Sequence, residues 1–513
     1  MSTDARARAE SAGKVELSAR RISTLQILKA SLILSAALSL LIYVWLASQR
    51  IPYPFELEWT EGGLADEVTH LLQTGQLYGA PTLEFTPFLY PPLYFYLSAG
   101  LAKLTGSSLL ALRLISFLAS LLVFWGIFEI VRRETHSGLM GFLAAGLFAA
   151  TFRVTGAWLD VARVDTLFLA LWLMFLLAAR RPISTGSALA AGSFAALAFL
   201  TKQTALIVCA PVFLWLIWQN WQHGLTALGV ALMLVTAVSL LLERASGGWF
   251  SYYVYGLLFQ QTEWLPYYFF AFWQEDLLAH LPIVSMMALF FLGAENRQRA
   301  CFWLAVTLGG VAGAFLTRAK VGGYNNVLLP AYAVATILFG LGLSAADQFL
   351  QKITLTERQT LQKLLYATCL VQFLVLAYNP YQQLPNAADR LAGESLLNLI
   401  ASAHGEVYLP DHGYLASLAG KRSYSHQSAL WDILRGNQPS AAQTRIQSAF
   451  DDAIRQQKFD LIIFDSRWNY CCGELERYYT PTGSVFADED VFYPVTGARR
   501  RPTYIYTAKR LLP

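Results

Sequence analysis

The chain has 513 residues, of which 55% are hydrophobic, 14% aromatic and 14% charged, and its formal net charge is +4. Soluble domains carry about 25% charged residues, so this composition excludes an ordinary soluble protein, and so small a net charge gives no reason to expect nucleic acid. The basic residues gather instead in short loops between apolar runs, the pattern of an integral membrane protein with many spans.

Residues 1–25 carry Arg6, Arg8, Lys14, Arg20 and Arg21 ahead of an apolar run at 26–48. A cleavable leader has an apolar stretch of only about 7–15 residues, whereas about 20 cross a bilayer, so 26–48 is expected to be a retained first span. On the same ruler further spans are expected near 109–131, 138–158, 166–179, 185–200, 203–221, 225–243, 277–293, 300–316, 327–345 and 360–378, eleven in all. The run 92–104 is apolar but short, opened by Pro91-Pro92 and closed by Lys103 and Gly106, and is read as a helix lying in the interface.

Sidedness follows from the loops. With the N-terminus cytoplasmic, Arg132-Arg133, Arg180-Arg181, Arg297/Arg299 and Lys352/Arg358 are also cytoplasmic only if 92–104 does not cross. Residues 245–296 hold no Lys or Arg and are rich in Trp, Tyr and Phe, as suits an outer loop with an aromatic belt. The aromatic loop around 249–273 offers stacking faces for a sugar, although interfacial anchoring explains it more simply. After 379 the chain regains charge. Strand-like runs at 406–409, 422–425, 460–464 and 503–507, with a helical stretch at 441–455, indicate a small α/β domain. The expected division is a cytoplasmic segment 1–25, a membrane domain 26–378 and an extracytoplasmic α/β domain 379–513. Cys209, Cys301 and Cys369 read as inert small hydrophobes, and the adjacent Cys471 and Cys472 fit neither a disulfide framework nor a metal-ligand spacing.

On this count five polar clusters face one compartment. The first outer loop holds Glu56, Glu58, Glu61, Asp66 and Glu67, carboxylates able to draw a proton from an attacking hydroxyl or simply to sit solvated or start a helix. Next come Asp160, Arg163 and Asp165, where capping of the following helix by Asp165 and pairing of Asp160 with Arg163 is the plainer reading. Lys202 is the only charge between Arg181 and Glu243 and serves either as a snorkelling anchor or as a point charge for a phosphate. Arg318 and Lys320 precede Gly322-Gly323-Tyr324, and the tail completes the set. Acids together with several cations suit a transfer whose leaving group is a phosphate, because cations stabilise the charge developing on it.

These residues resemble the polytopic GT-C glycosyltransferases, in particular the bacterial branch of protein O-mannosyltransferase-like enzymes and the lipid A aminoarabinose transferase. Glu58-Trp59-Thr60-Glu61-Gly62, Gly75-Gln76-Leu77-Tyr78 and Pro91-Pro92 match that family's first outer loop. Arg163-Val164-Asp165, Leu200-Thr201-Lys202 and Lys320 with Tyr324 and Leu329-Pro330 match its later elements. One departure is that the family's usual first catalytic aspartate falls on or near Thr60, leaving its work to Glu61 or Glu58, with Glu61 favoured.

The resemblance implies a polytopic α-helical fold of about eleven spans in the inner membrane. It also implies a polyprenyl-phosphate-linked sugar as donor and an inverting transfer to an extracytoplasmic glycan, lipid or protein. Glu61 or Glu58 would be the base and Asp165 would orient the acceptor or the base. Lys202, Arg163, Arg318 and Lys320 would hold the donor phosphate, and Asp160 and Tyr324 would contact substrate. No Asp-x-Asp pair occurs in the outer loops, so no metal or other cofactor is expected. A lipid or solute transporter, or a non-catalytic protein that binds lipid-linked glycan, are the alternatives, and the first is disfavoured by the odd span count and the lack of inverted halves.

Overall fold

The computed structural model describes residues 23–260, 263–435, 440–467 and 473–509. The basic residues before position 23, and Cys471 with Cys472, lie outside them.

A helix stands at each of the eleven apolar runs. Helix α1 (Thr24–Arg50) opens with a capping box in which Ser23 and Gln26 satisfy each other's backbone N–H groups. Two helices in the first loop follow, α2 (Glu61–Thr74) and α3 (Leu93–Thr105). Then come α4 (Ser108–Thr135), α5 (Gly138–Ala150), α6 (Asp165–Ala179), α7 (Thr185–Phe199), α8 (Ala205–Gln219) and α9 (Trp221–Ser246). The bundle ends with α10 (Pro282–Ala294), α11 (Arg297–Arg318), α12 (Leu329–Leu350) and α13 (Leu355–Val375). Among the described residues five helices are long and apolar enough to cross a membrane, four shorter apolar helices accompany them, and two bent pairs raise the candidate spans to seven. The chain is a multi-pass membrane protein.

Burial sorts these helices. In the stretch ending with α12, 94% of the apolar window is buried, against 11% in α9. The first is therefore the centre of the bundle and the second a lipid-facing edge, with Leu232, Leu240 and Leu241 exposed along it. With no hydrophobic drive between helices in lipid, close backbone contact holds such a bundle. A side chain at Gly146 would overlap Ala36 of α1, and one at Gly309 would overlap the Val208 carbonyl of α8.

Two ends of the bundle are distinct. At one, Glu134 accepts hydrogen bonds from Arg180 (2.7 Å) and Arg299 (2.8 Å), and Glu129 holds Arg132 and Arg133. At the other end of α4 lies Arg113, within the polar clusters. Helix α3, about 20 Å long, keeps both ends on this second side. Its Leu93 N–H meets the Leu200 carbonyl (2.9 Å), and Ser108 beyond its far end meets Thr69 of α2 (2.8 Å).

Some boundaries differ from expectation. The run 138–158 is an α-helix only to Ala150; turns follow, and Gly156 and Ala157 then take left-handed backbone angles that redirect the chain. That turn delivers Trp158 and Asp160 to the polar end. After α13 the chain forms helices α14 (Ala387–Ser402), α15 (Gly413–Leu418), α16 (Gln427–Leu434) and α17 (Ala441–Arg455). They accompany a four-stranded sheet of β1 (Glu406–Tyr408), β2 (Phe459–Phe464), β3 (Tyr479–Ser484) and β4 (Tyr504–Ala508). Its order is β1-β2-β4-β3, with β1 parallel to β2 and the other pairs antiparallel.

The expected strand 422–425 is extended but unpaired in the sheet. Its Ser425 N–H donates to the Leu83 carbonyl (3.0 Å) and its Ser423 hydroxyl to Asp66 (2.5 Å), so it pairs with the first loop. Ala429 and Ile433 of α16 share a hydrophobic core with Leu64 and Val68 of α2 and Phe95 of α3.

Candidate active site

The polar end is organised by two ion pairs with no exposure to solvent. Arg113 donates to both oxygens of Glu61 (2.9 and 2.6 Å) and to the carbonyls of Arg50, Tyr53 and Phe55. The same carboxylate accepts the N–H groups of Ala162 and Leu57, both at 2.6 Å. Burial alone would raise the Glu61 carboxyl, but Arg113 and these N–H groups outweigh it and hold it below the usual range. Asp160 lies 3.1 Å from Arg50 of α1, not against Arg163, and is equally buried. Glu61 and Asp160 thus fasten the first loop, α1, α4 and the 157–163 turn together.

Glu58 is different. It is buried, one oxygen accepts from the Thr60 N–H (3.1 Å) and hydroxyl (2.8 Å), and its other oxygen has no partner. Burial raises its pKa to about 7, with Arg163 (3.6 Å away) and Thr60 opposing the rise. Arg163 spreads over this corner, donating to the Thr60 hydroxyl and the Tyr90 hydroxyl (2.8 Å) and lying over the rings of Tyr90 and Trp158. A carboxyl poised near neutrality beside a fixed cation is suited to accepting a proton.

Asp165 stands at the first position of α6, but its side chain caps no N–H of that helix. Its carboxylate reaches Lys202 (2.5 Å) and Asn326 (3.0 Å), joining three segments distant in sequence, and its second oxygen has no partner. Arg318 is committed to Asp276 (2.8 and 3.1 Å) and to the Gly323 carbonyl (2.9 Å), so it stiffens the turn that carries Lys320. Lys320 sits over the Trp264 ring at 5.6 Å. The Tyr324 ring packs on Trp59 with centroids 4.5 Å apart.

A cavity of about 330 Å³ opens beside Arg163; Glu58, Glu61, Asp160, Asp165, Lys202, Arg318 and Lys320 lie behind its wall and are not among its lining residues. Trp59, Thr60, Tyr90, Arg163, Tyr324 and Asn326 line it from the membrane side, while Trp431, Asp432, Arg435 and Arg500 line it from the C-terminal region. These latter residues, and Tyr90, were not singled out from the sequence, since nothing local marks a tail helix as a cavity wall. Arg113 was not singled out either, although it carries a signal as the single charge between Lys103 and Glu129. His412 carries no local signal beyond following a strand-like run. It lies between Glu56 of the first loop, at Nδ1, and Asp465, 3.1 Å from Nε2. Among the described residues no group of three or more His, Cys, Asp or Glu side chains is placed to hold a metal ion. Glu58 and Asp165 are each neutralised by a cation of the chain itself.

Residues 90–243 match the family described as dolichyl-phosphate-mannose-protein mannosyltransferase. The fold is similar to that of ArnT from Cupriavidus metallidurans bound to undecaprenyl phosphate, with a TM-score of 0.59 and 12% identity over 92% of this chain and 97% of that one. The apo form of that protein matches with a TM-score of 0.57 and 13% identity over the same shares. The oligosaccharyltransferase of Archaeoglobus fulgidus follows, with a TM-score of 0.50 and 14% identity over 84% of this chain and 68% of that one. No curated protein matches the chain by sequence. The chain therefore has an ArnT-like fold, and its 90–243 segment matches the mannosyltransferase family model.

Proposed function

We propose that this GT-C-fold membrane protein transfers a sugar from a polyprenyl-phosphate carrier to a hydroxyl acceptor by a single inverting displacement. The solved relative that binds undecaprenyl phosphate supports this donor class. So does a cavity that places cations beside a carboxyl group at the end of a helical bundle. The acceptor oxygen attacks the anomeric carbon, the bond from that carbon to the phosphate oxygen breaks, and the acceptor proton passes to a carboxylate. The polyprenyl phosphate leaves as an anion.

The observation that carries the reading is the Thr60–Arg163–Tyr90 corner of the cavity, with Glu58 buried behind Thr60 and the Asp165–Lys202 pair behind Asn326. Glu58 serves as the base. Glu61, favoured by sequence, has both oxygens engaged by Arg113 and backbone N–H groups, and a carboxylate so held resists protonation. Arg163, Lys202 and Lys320 bind the phosphate, Asp165 holds Lys202 in place, and Arg318 sets the Lys320 turn. Asp160 acts through Arg50, and Tyr324 contributes a wall for the sugar. The paired arginines gathered around Glu134 favour the cytoplasm for that end and the outer face of the inner membrane for the site. The whole region 379–513 is then extracytoplasmic.

The test is release of polyprenyl phosphate from short-chain polyprenyl-phosphate sugars by the purified protein. Glu58→Gln should lower turnover by about 10²–10⁴-fold, the usual worth of a general base, with donor affinity retained. A donor that is bound or moved across vesicles but never cleaved would overturn the enzyme reading in favour of transport.

A further inference from the structure

Helix α16 is short, yet it has two faces. Ala429, Leu430 and Ile433 are buried, Ala429 and Ile433 in the core shared with α2 and α3, and Leu430 in the core that packs on the sheet. The helix is thereby wedged between the bundle and the C-terminal sheet. Its start is fixed as well, because the Gln427 N–H donates to the Pro410 carbonyl (2.6 Å) and His426 Nδ1 accepts the Ser428 N–H (3.1 Å). The opposite stripe is Gln427, Ser428, Trp431, Asp432 and, one residue past the helix, Arg435, at the spacing of one helical face. On a surface helix such a stripe ordinarily meets open water. Here all five residues line the cavity that Thr60, Tyr90 and Arg163 line from the membrane side.

The stripe is chemically matched to a sugar ring. Arg435 packs over the Trp431 indole at 3.8 Å and donates to Asp432 (2.8 Å), so one guanidinium fixes both the flat ring and the carboxylate. Asp432 is the one acid among the residues that line the cavity. From the roof it acts electrostatically on the Tyr90 phenol, whose hydroxyl accepts from Arg163 on the membrane side. A carboxylate accepts from neighbouring hydroxyls of a ring, and an indole offers an apolar face to its C–H bonds. Both roof cations have an acid beside them, Arg435 its Asp432 and Arg500 its Asp411 at 3.6 Å, so a second anion finds no unmatched charge there. At about 330 Å³ the cavity is at the small end of ligand sites, which suits one ring better than an oligosaccharide.

We propose that the inward stripe of α16 reads the donor sugar, a neutral hexose, with Trp431 packed on the ring and Asp432 accepting hydrogen bonds from its hydroxyls. Arg435 is a positioning residue that holds both side chains in place. The phosphate is common to every donor of this class, and its cation in the cavity, Arg163, comes from the bundle. The sugar is the part that varies, and its wall comes from the C-terminal region. The proposal rests on the transferase reading above for the donor class, but sugar recognition is a matter of binding and does not depend on turnover.

Calorimetric titration of the full chain in detergent tests it, with short-chain polyprenyl-phosphate mannose, glucose and galactose as probes. The methyl diester of the same polyprenyl phosphate is the comparator, since it carries the same charge and no sugar. At least one hexose donor should bind the wild type more tightly than the methyl diester, and polyprenyl-phosphate glucuronate should bind no better than the glucose donor. Asp432→Asn and Trp431→Ala should each reduce that preference by about tenfold, the worth of a hydrogen bond to a charged group, while methyl diester affinity stays as in the wild type. Trp431→Phe should retain most of it. Asp432→Asn, isosteric and half-exposed, decides the matter should Trp431→Ala fail to fold. Equal binding of hexose donors and methyl diester, tighter binding of the glucuronate, a preference untouched by Asp432→Asn, or methyl diester binding that falls in step with donor binding would overturn the proposal. Failure of every one of these lipids to bind would overturn the transferase reading and this proposal with it. A full hexose preference without cleavage of the donor would overturn the transferase reading alone.

Discussion

Glu58 and Glu61 are three residues apart, yet their surroundings give them opposite acid strengths, and this makes the proposed roles separable by pH. A base must be ionised, so turnover should rise with pH through about 7, the value to which burial lifts Glu58. Replacing Arg163 with Gln removes the main opposing charge and should move that midpoint upward in a pH–rate profile. The same raised value has a stability sign. The folded state holds this proton more tightly than the unfolded chain, so its contribution is full below the ordinary value of about 4.3 and is lost as pH rises through about 7. Glu61→Gln belongs to a different class. It leaves Arg113 buried without its anion, which should cost about 3–5 kcal/mol and appear as a lowered melting temperature before any effect on turnover is measured.

At the scale of elements, the membrane helices were legible because a run of apolar residues reports its own burial. Where a helix ended was less so: the helix over 138–150 stops well short of residue 158, and the left-handed Gly156 and Ala157 then redirect the chain. Strand 479–484 hid behind Pro481 and Gly483, which mark it as a bulged edge. Segment 422–425 had a strand's composition, but its partners are Leu83 and Asp66, hundreds of residues upstream, and no local pattern announces them. The candidate site divides in the same way. Residues in short motifs could be named, whereas the wall supplied by α16 depends on tertiary docking. Packing between elements makes its own prediction. Gly309→Ala would set a methyl against the Val208 carbonyl where α11 meets α8, and overpacking of this kind costs about 1–3 kcal/mol. Thermal unfolding in detergent should show the loss, while Gly229→Ala, whose added Cβ would meet nothing within 4 Å, should not.

Across the whole molecule, the first loop and the C-terminal region are joined by His412. Burial alone would lower its imidazole, but Asp465 and Glu56 outweigh that effect and hold it well above the ordinary histidine value. The junction is then strongest with the ring charged. Its stabilisation is complete below about pH 6.5 and is lost as pH rises through the elevated folded-state value. The melting-temperature gap between wild type and His412→Gln should therefore be widest near pH 6 and narrow into the alkaline range, read by fluorimetry in about half-unit steps. A gap that widens with pH would mean that the ring is neutral in the folded protein.

The same junction orders events in time. Glu58 pairs as a lone parallel bridge with Thr496, whose N–H meets the Leu57 carbonyl at 3.1 Å, and Gly497 allows that segment to press against the Trp59 ring. Nearly the entire chain is synthesised between these two partners. While the ribosome is still at work, the early spans are in the bilayer but the cavity has no roof and its acidic loop no brace. Under the proposed function, the site is complete only once the segment around Thr496 has emerged and docked, and a chain terminated before it would sit in the membrane with that site unfinished.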